Sequence, residues 1–123
     1  MHWFSVALGG AIGAVGRYAV SVWLLPTSQY KFPYATISVN VLGSLIMGIL
    51  YVIILERADL PVETRNLLMV GFLGAFTTFS TFSLDAISLW QNGDQFLALV
   101  YVVSTVALCL LAIIAAIWLT RLF

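Results

Sequence analysis

The sequence predicts an all-α integral membrane protein with four transmembrane helices in a single domain, residues 1–123. Hydrophobic residues make up 63% of the chain and charged residues only 8%, whereas typical soluble domains are about 25% charged. Four apolar segments each approach the length of about 20 residues that crosses a bilayer core. They are predicted at about 3–25, 34–55, 67–90 and 96–119, with short polar connections between them.

The composition also argues against several kinds of function. The formal net charge is zero, so no nucleic-acid partner is expected. One cysteine, Cys109, and one histidine, His2, are too few for a zinc site or a catalytic constellation, so an enzyme is not expected. The first segment lacks a basic region and stays apolar to Leu25, so we interpret it as a retained membrane helix rather than a signal peptide.

The first span combines small residues with one charge. Gly9 and Gly13 form a small-xxx-small pair, which favours close packing against a second helix. Arg17 follows one turn later. An arginine inside a membrane is often functional, but this one could also extend to the interface through its aliphatic stem. The sequence favours neither interpretation.

The second and fourth spans each carry a polar group that could have two roles. Asn40, Ser44 and Gly48 recur every four residues and therefore share a helical face. The Asn40 amide could line a polar path or bond a neighbouring helix. The Tyr101 hydroxyl in the fourth span could join the same path, or its ring could face the bundle or the membrane interface.

The third span contains the most unusual stretch of the chain. Residues 71–83 read G-F-L-G-A-F-T-T-F-S-T-F-S, so hydroxyl groups alternate with phenylalanine rings. Because hydroxyls without partners are costly in hydrocarbon, this stretch must face protein, water or an ion. Gly71 and Gly74 weaken the helix, and a break is predicted near 74–79. An interrupted membrane helix points to the site of a permeating species.

The expected lining groups are the Asn40 amide, serine and threonine hydroxyls and phenylalanine edges, with no carboxylate in the middle of the bundle. Amide and hydroxyl hydrogens donate to anions, and the edge of an aromatic ring carries the positive part of its quadrupole. Conduction needs several weak sites, which uncharged donors supply. The pattern therefore indicates a path for a small anion, whose identity these groups do not specify.

Two further features bear on assembly. Four short helices can scarcely enclose a pore and shield it from lipid, so a homodimer is the simplest expectation. Arg57, Arg65 and Arg121 flank one side of the predicted bundle and Lys31 the other. This bias of positive charge is small, so we predict that the chain inserts in both orientations.

The chain resembles the Fluc (CrcB) fluoride channel family over essentially its whole length. The resemblance rests on G-G-A-I-G-A-V-G-R-Y at 9–18, V-N-V-L-G-S at 39–44 and G-A-F-T-T-F-S-T-F-S at 74–83. It implies passive export of fluoride from the cytoplasm, and so fluoride resistance, by a multi-pass protein of the bacterial inner membrane. It also implies an antiparallel, dual-topology homodimer with two pores, surrounded by lipid. Asp85 stands where relatives carry a glutamate.

The resemblance further implies roles for individual residues. Two phenylalanine edges and an asparagine amide would contact fluoride, and hydroxyls would form a polar track. A structural sodium ion would bind at the dimer interface through the backbone carbonyls of Gly74 and Thr77. Arg17 matches the arginine of the first motif and is a supporting residue. The implied fluoride pathway comprises Asn40, Phe79, Ser80, Thr81, Phe82 and Tyr101.

Two alternatives belong to other classes. A small multidrug-resistance-type antiporter also uses four helices in antiparallel dimers, but it needs a carboxylate deep in the first span, and residues 3–25 contain none. A structural membrane subunit without transport activity would leave the hydroxyl-rich stretch unexplained. Fluoride efflux from liposomes, compared with chloride, distinguishes these possibilities.

Overall fold

The computed structural model describes residues 2–26 and 29–123. Within these residues, four helical stretches are long and apolar enough to cross a membrane, which confirms the all-α class with four spans. The first two spans are α1 (His2–Leu24) and α2 (Tyr34–Arg57). The third span, Val62–Gln91, consists of α3 (62–76) and α4 (Ser80–Gln91), and the fourth is α5 (Gln95–Leu122).

The third span begins earlier than the predicted residue 67. Pro61 lies at the cap position with φ −57°, and Val62 starts the helix directly after it. Proline is well suited to a helix start because its φ is already helical and its missing N–H is not needed there. Glu63 in the first turn adds a negative charge at the positive end of the helix dipole. Wider, π-helical turns occur at Val20–Leu24, Tyr51–Arg57 and Asn66–Leu73.

The spans pack as two close pairs. α1 lies along α3, and α2 lies along α5. Gly13 is required in the first pair, because a Cβ there would collide with the carbonyl of Phe72. Gly43 on α2 faces the side chain of Thr77. Because Gly43 has no side chain of its own, the α2–α5 pair can pack closely against the third span. The predicted packing role of the first-span glycine is thus visible in the structure.

A buried hydrophobic cluster lies between α4 and α5, where Phe82 and Leu89 pack against Ala98 and Tyr101. Tyr101 is fully buried. Many large apolar side chains point outward instead, including Trp3, which is 90% exposed. Outward apolar side chains are what a helix bundle surrounded by lipid requires.

Helical geometry is interrupted between α3 and α4. Gly74 is helical (φ −59°, ψ −35°), whereas Thr77 is extended (φ −90°, ψ 160°), and α4 begins at Ser80. Thr77–Phe79 therefore lie between the two helices, and we refer to them as the break. Gly74 lies in the last turn before the break rather than within it.

Polar contacts join the ends of the bundle. Lys31 Nζ lies 2.8 Å from Asp94 Oδ1, which links the loop after α1 to the turn before α5. At the opposite end, Arg121 Nε donates to Glu56 Oε1 at 3.0 Å. These pairs link sequence-distant helix ends, so they fix which ends of the spans lie together.

Candidate ion pathway around the break

Asn40 holds the backbone of the break. Its Nδ2 donates to the Thr78 carbonyl at 2.9 Å, and its Oδ1 accepts from the Thr78 amide at 2.8 Å. This pair of bonds satisfies both backbone groups of a residue that has left the helix, as buried peptide groups require. An asparagine amide has two N–H groups. The Thr78 carbonyl uses one, so the second can donate to a ligand.

Side chains also take over other backbone bonds at the break. In a continuous helix, the Thr78 amide would donate to the Gly74 carbonyl and the Thr81 amide to the Thr77 carbonyl. Here the Thr78 amide donates to Asn40 and the Thr81 amide to Thr78 Oγ1, at 3.2 Å. The carbonyls of Gly74 and Thr77 have therefore lost the amides that a regular helix would give them.

Arg17 contacts the last turn of α3. Its Nε donates to the Ala75 carbonyl at 3.0 Å. In a continuous helix this carbonyl would accept from the amide of Phe79, so Arg17 replaces a bond lost at the break. This contact gives the charge a specific protein partner, in keeping with a supporting role rather than extension to the interface alone.

A cavity of about 370 Å³ lies beside the break, between α2 and α5. We call it the break cavity. Asn40 and Ser44 border it from α2, Phe79 and Phe82 from the third span, and Thr105 from α5. Among the described residues, Thr105 Oγ1 is the one buried side-chain polar atom that lacks a hydrogen-bond partner. The cavity thus combines uncharged donors with aromatic rings.

Phe79 and Phe82 differ in their surroundings although their ring centroids are only 5.6 Å apart. Phe79, at the end of the break, is 78% exposed, whereas Phe82 in α4 is 7% exposed. The Phe82 ring also packs against Tyr101, with centroids 5.2 Å apart. Both rings border the break cavity, but only Phe82 is part of the core of this chain.

The hydroxyls of the third span divide into two groups. Thr77 Oγ1 donates to the Leu73 carbonyl at 2.8 Å, and Ser83 Oγ donates to the Phe79 carbonyl at 3.0 Å. These two are used by their own backbone. Ser80 Oγ lies 3.4 Å from Thr78 Oγ1, and Thr81 borders a second cavity. The sequence shows one uniform hydroxyl run, whereas the structure separates local helix bonds from groups that face cavities.

The second cavity, of about 290 Å³, adjoins the first at the break, since Thr78 borders both. We call it the inner cavity. Arg17, Thr81 and Asp85 line it as well. Asp85 in turn borders a third cavity of about 490 Å³ beside Lys31 and Asp94, which we call the rim cavity. Shared lining residues therefore connect the break to one end of the bundle.

A carboxylate lies between the inner and rim cavities. Asp85 Oδ2 accepts from Thr36 Oγ1 at 2.7 Å and from Tyr101 Oη at 3.2 Å. The sequence predicted no carboxylate in the middle of the bundle. Asp85 lies towards one end, where it borders the rim cavity and bonds residues of α2 and α5. Thr36 was not among the residues predicted from the sequence, although it precedes Asn40 by one turn on the face with Ser44. Thr105 was not predicted to lie in the site either.

The structure thus brings the residues of the expected pathway to one region but not to one cavity. Asn40, Phe79 and Phe82 border the break cavity, and Thr81 and Arg17 border the inner cavity. Tyr101 contacts both regions, through its ring on Phe82 and its hydroxyl on Asp85. Ser80 is the first residue of α4. Gly74 lies in the last turn of α3, and Thr77 is the first residue of the break.

Uncharged donors beside an interrupted helix, in a four-span bundle, suit a membrane protein that passes small ions. The family model described as "CrcB-like protein, Camphor Resistance (CrcB)" matches residues 4–117, and the chain belongs to this family.

Curated relatives extend this result. The chain is 54% identical over 119 residues to "Fluoride-specific ion channel FluC" of Saccharophagus degradans, covering 97% of this chain and 89% of that protein. It is 50% identical over 121 residues to the protein of the same name from Hahella chejuensis, covering 98% and 95%. For the Magnetococcus marinus protein of that name, the identity is 51% over 107 residues, or 87% of each chain.

These similarities confirm the resemblance inferred from the sequence motifs. They also confirm that the protein belongs to a family of ion channels rather than enzymes. With four helices capable of spanning a membrane, it is a multi-pass protein of the bacterial inner membrane. The comparisons support a channel and give no support to the antiporter alternative.

Proposed function

We propose that the protein conducts fluoride passively out of the cytoplasm and so confers fluoride resistance. The observation that carries this proposal is the break cavity, which Asn40, Phe79 and Phe82 border and where the Asn40 amide keeps a second N–H beyond its bond to Thr78. The names of the relatives identify fluoride as the ion that similar chains pass.

Rigidity is the contribution of the protein to this function. Because both polar atoms of the Asn40 amide bond Thr78, the remaining N–H has a fixed direction. A donor that is already oriented does not lose conformational freedom when the ion arrives. The aromatic edges add attraction without a formal charge, and weak contacts in series let the ion leave as well as enter. The hydroxyls of Ser80 and Thr81 extend the polar path at the start of α4.

The function is tested by ion efflux from liposomes that contain the pure protein. Fluoride efflux should follow the amount of reconstituted protein, and chloride efflux should stay at the level of protein-free vesicles. Equal rates for the two ions, or no fluoride flux from protein shown to be folded and inserted, would refute the proposal.

A complete pathway is proposed to need a second copy of the chain, in the antiparallel orientation and surrounded by lipid. Phe79 is 78% exposed although it borders the break cavity, so the pathway is open on this side in one chain. Gly74, in the adjoining turn, is exposed as well. A second third span packed on this face would cover both residues and give two pores related by symmetry.

Orientation in the membrane provides the test. The small difference in positive charge between the two ends of the bundle should allow insertion both ways. A label attached after Phe123 should then be accessible from each side of the membrane in part of the molecules. If one side alone gives labelling in intact vesicles, and both sides do so after permeabilisation, dual topology is excluded.

A structural sodium ion is proposed at the dimer interface, bound by the carbonyls of Gly74 and Thr77 from both chains. These carbonyls suit the ion because their usual helix amides are directed to Asn40 and Thr78 instead. Oxygen ligands without charge fit a hard cation. The ion would supply positive charge where four carbonyl dipoles meet.

Sodium dependence of the dimer tests this site. Thermal stability of the purified protein should rise with sodium concentration, with potassium at equal ionic strength as the control. Thr77→Ser retains both the carbonyl and the hydroxyl and should preserve the dependence. A dimer whose stability is the same in the two salts throughout the titration would contradict the site.

A further inference from the structure

The break cavity contains a polar atom without a partner. Thr105 is 4% exposed, and its Oγ1 has no hydrogen-bond partner among residues 2–26 and 29–123. A buried hydroxyl left in this state costs about 1–3 kcal/mol, and such groups are normally bonded to ordered water when protein partners are missing. Thr105 therefore presents an unpaired hydroxyl beside the cavity, which a polar occupant, water or an ion, could bond.

Cys109 shares this environment. It follows Thr105 by four residues on α5, so the two side chains lie on one helical face. Cys109 borders the same cavity and is half-buried rather than enclosed. Buried thiols in apolar surroundings are inert, whereas thiols that reach water can ionise and react as thiolates. The unpartnered hydroxyl one turn away and the shared cavity distinguish Cys109 from an ordinary core cysteine.

From this geometry we propose that Cys109 is a modification site of the pathway, open to small thiol-specific electrophiles through the break cavity, where the attached group stops ion flow. Asn40, Ser44 and Phe79 border the other sides of the same cavity. An added group would thus displace any polar occupant and lie beside the proposed anion contacts. The effect on flux rests on the proposed channel function, but the accessibility of the thiol does not.

The reaction can be written with an alkyl methanethiosulfonate, which supplies its own leaving group. The Cys109 thiol loses its proton to water, and the thiolate attacks the reagent's alkylthio sulfur. A new S–S bond forms between Cys109 and the alkylthio group. The S–S bond of the reagent breaks, and methanesulfinate departs with the electron pair. No further oxidant is needed.

The experiment uses the full-length protein in liposomes, treated with methyl methanethiosulfonate and with its larger trimethylammonioethyl analogue. Intact-protein mass spectrometry reports adduct formation, and fluoride efflux is compared with that of the same untreated preparation. We expect one adduct per chain and a fall in efflux of at least about tenfold, equivalent to raising the barrier by about 1.4 kcal/mol. The larger group should inhibit at least as strongly as the methyl group.

Two variants make the test specific. Cys109→Ser should form no adduct, and its efflux should not respond to either reagent. Ile114 lies on the same helix, is 61% exposed and does not border the break cavity. In the Cys109→Ser background, Ile114→Cys should form no adduct and should conduct at an unchanged rate, because that thiol faces lipid, where it does not ionise.

The possible failures can be told apart. If folded protein forms no adduct while denatured protein does, the thiol is not accessible and the proposal is wrong. An adduct at Cys109 with undiminished efflux would also overturn it. If untreated protein passes no fluoride, the proposed function fails instead. Mass spectrometry alone would then decide the accessibility of Cys109.

Discussion

Two polar sites lie one helical turn apart on the same face of α2, and they use opposite chemistry. At the first, the neutral amide of Asn40 bonds the backbone of the break and keeps one N–H for another partner. At the second, Thr36 and Tyr101 both donate to the carboxylate of Asp85. The Asn40 site thus keeps one N–H donor free for another partner, whereas at the Asp85 site both donors are already bonded to a carboxylate.

This difference suggests how the two sites would treat an anion. Near Asn40 an anion gains a contact without displacing any protein hydrogen bond. Near Asp85 it must compete with a carboxylate for the hydroxyls of Thr36 and Tyr101, and the carboxylate also repels it. We therefore expect the contacts that select the ion to lie at the break, and the Asp85 site to have a smaller effect on its passage.

The largest effect is expected for Asn40→Asp. The change keeps the shape of the side chain but removes the donor to the Thr78 carbonyl and the second N–H as well. An ionised carboxylate there would also repel the anion and the carbonyl. We expect fluoride efflux to fall by about 100-fold or more, which corresponds to a barrier increase of roughly 3 kcal/mol.

The same change from amide to carboxylate at an exposed residue that borders none of the three cavities, Gln91→Glu, is the matched control and should leave efflux near the parent rate. Elution volume and helix content of each variant should be measured, so that a failure to fold is not read as a failure to conduct. A folded Asn40→Asp protein with parental efflux would place the selective contacts elsewhere.

The next effect concerns the two rings of the break cavity. Phe79→Ile and Phe82→Ile each remove a ring whose edge carries the positive part of the quadrupole. We expect efflux to fall by up to about tenfold in each variant. Stability should respond differently, because Phe82 is buried against Tyr101 whereas Phe79 is largely exposed in one chain. Only Phe82→Ile should therefore clearly lower the melting temperature through lost packing within the chain.

Phe96→Ile provides the control for the loss of an exposed ring, since Phe96 is 80% exposed and borders none of the three cavities. Its efflux should match that of the parent. If both break variants fold and also conduct at the parent rate, the ring edges do not contact the ion.

The sequence predicted the four spans because their apolar length leaves few other solutions for a chain with so little charge. It also drew attention to the stretch of the third span where helical geometry is interrupted, since hydroxyls and glycines in an apolar segment require an explanation. The positions that leave the helix could not be assigned in the same way. Gly74 has a low helix propensity but remains helical, whereas Thr77 is extended. The reason is that long-range hydrogen bonds from Asn40 and Arg17 decide which peptide groups give up their helical hydrogen bonds.

The role of each hydroxyl was also beyond sequence reasoning. Thr77 and Ser83 bond carbonyls one turn back, which any helical serine or threonine can do. Thr105 and Thr81 face cavities instead. Thr77, Thr81 and Ser83 lie in one hydroxyl-rich run, so their different roles follow from which groups pack opposite them. Asp85 illustrates the same limit: its partners Thr36 and Tyr101 come from two other spans.

The smallest effect is expected at the Asp85 site, and it tests the comparison most directly. Tyr101→Phe and Thr36→Val each remove one donor from the carboxylate. Hydrogen bonds to charged groups contribute about 1.5–3 kcal/mol, so each variant should lower the free energy of unfolding measurably. Efflux should fall by less than about tenfold, because the carboxylate keeps one partner. The double variant should lose more unfolding free energy than the sum of the single effects, since residues that share a partner are coupled.

Tyr34→Phe, which alters an exposed tyrosine near the same end of the bundle, is the control for loss of a phenol. A fall for Tyr101→Phe as large as that for Asn40→Asp would mean that the hydroxyls around Asp85, rather than the amide at the break, select the ion.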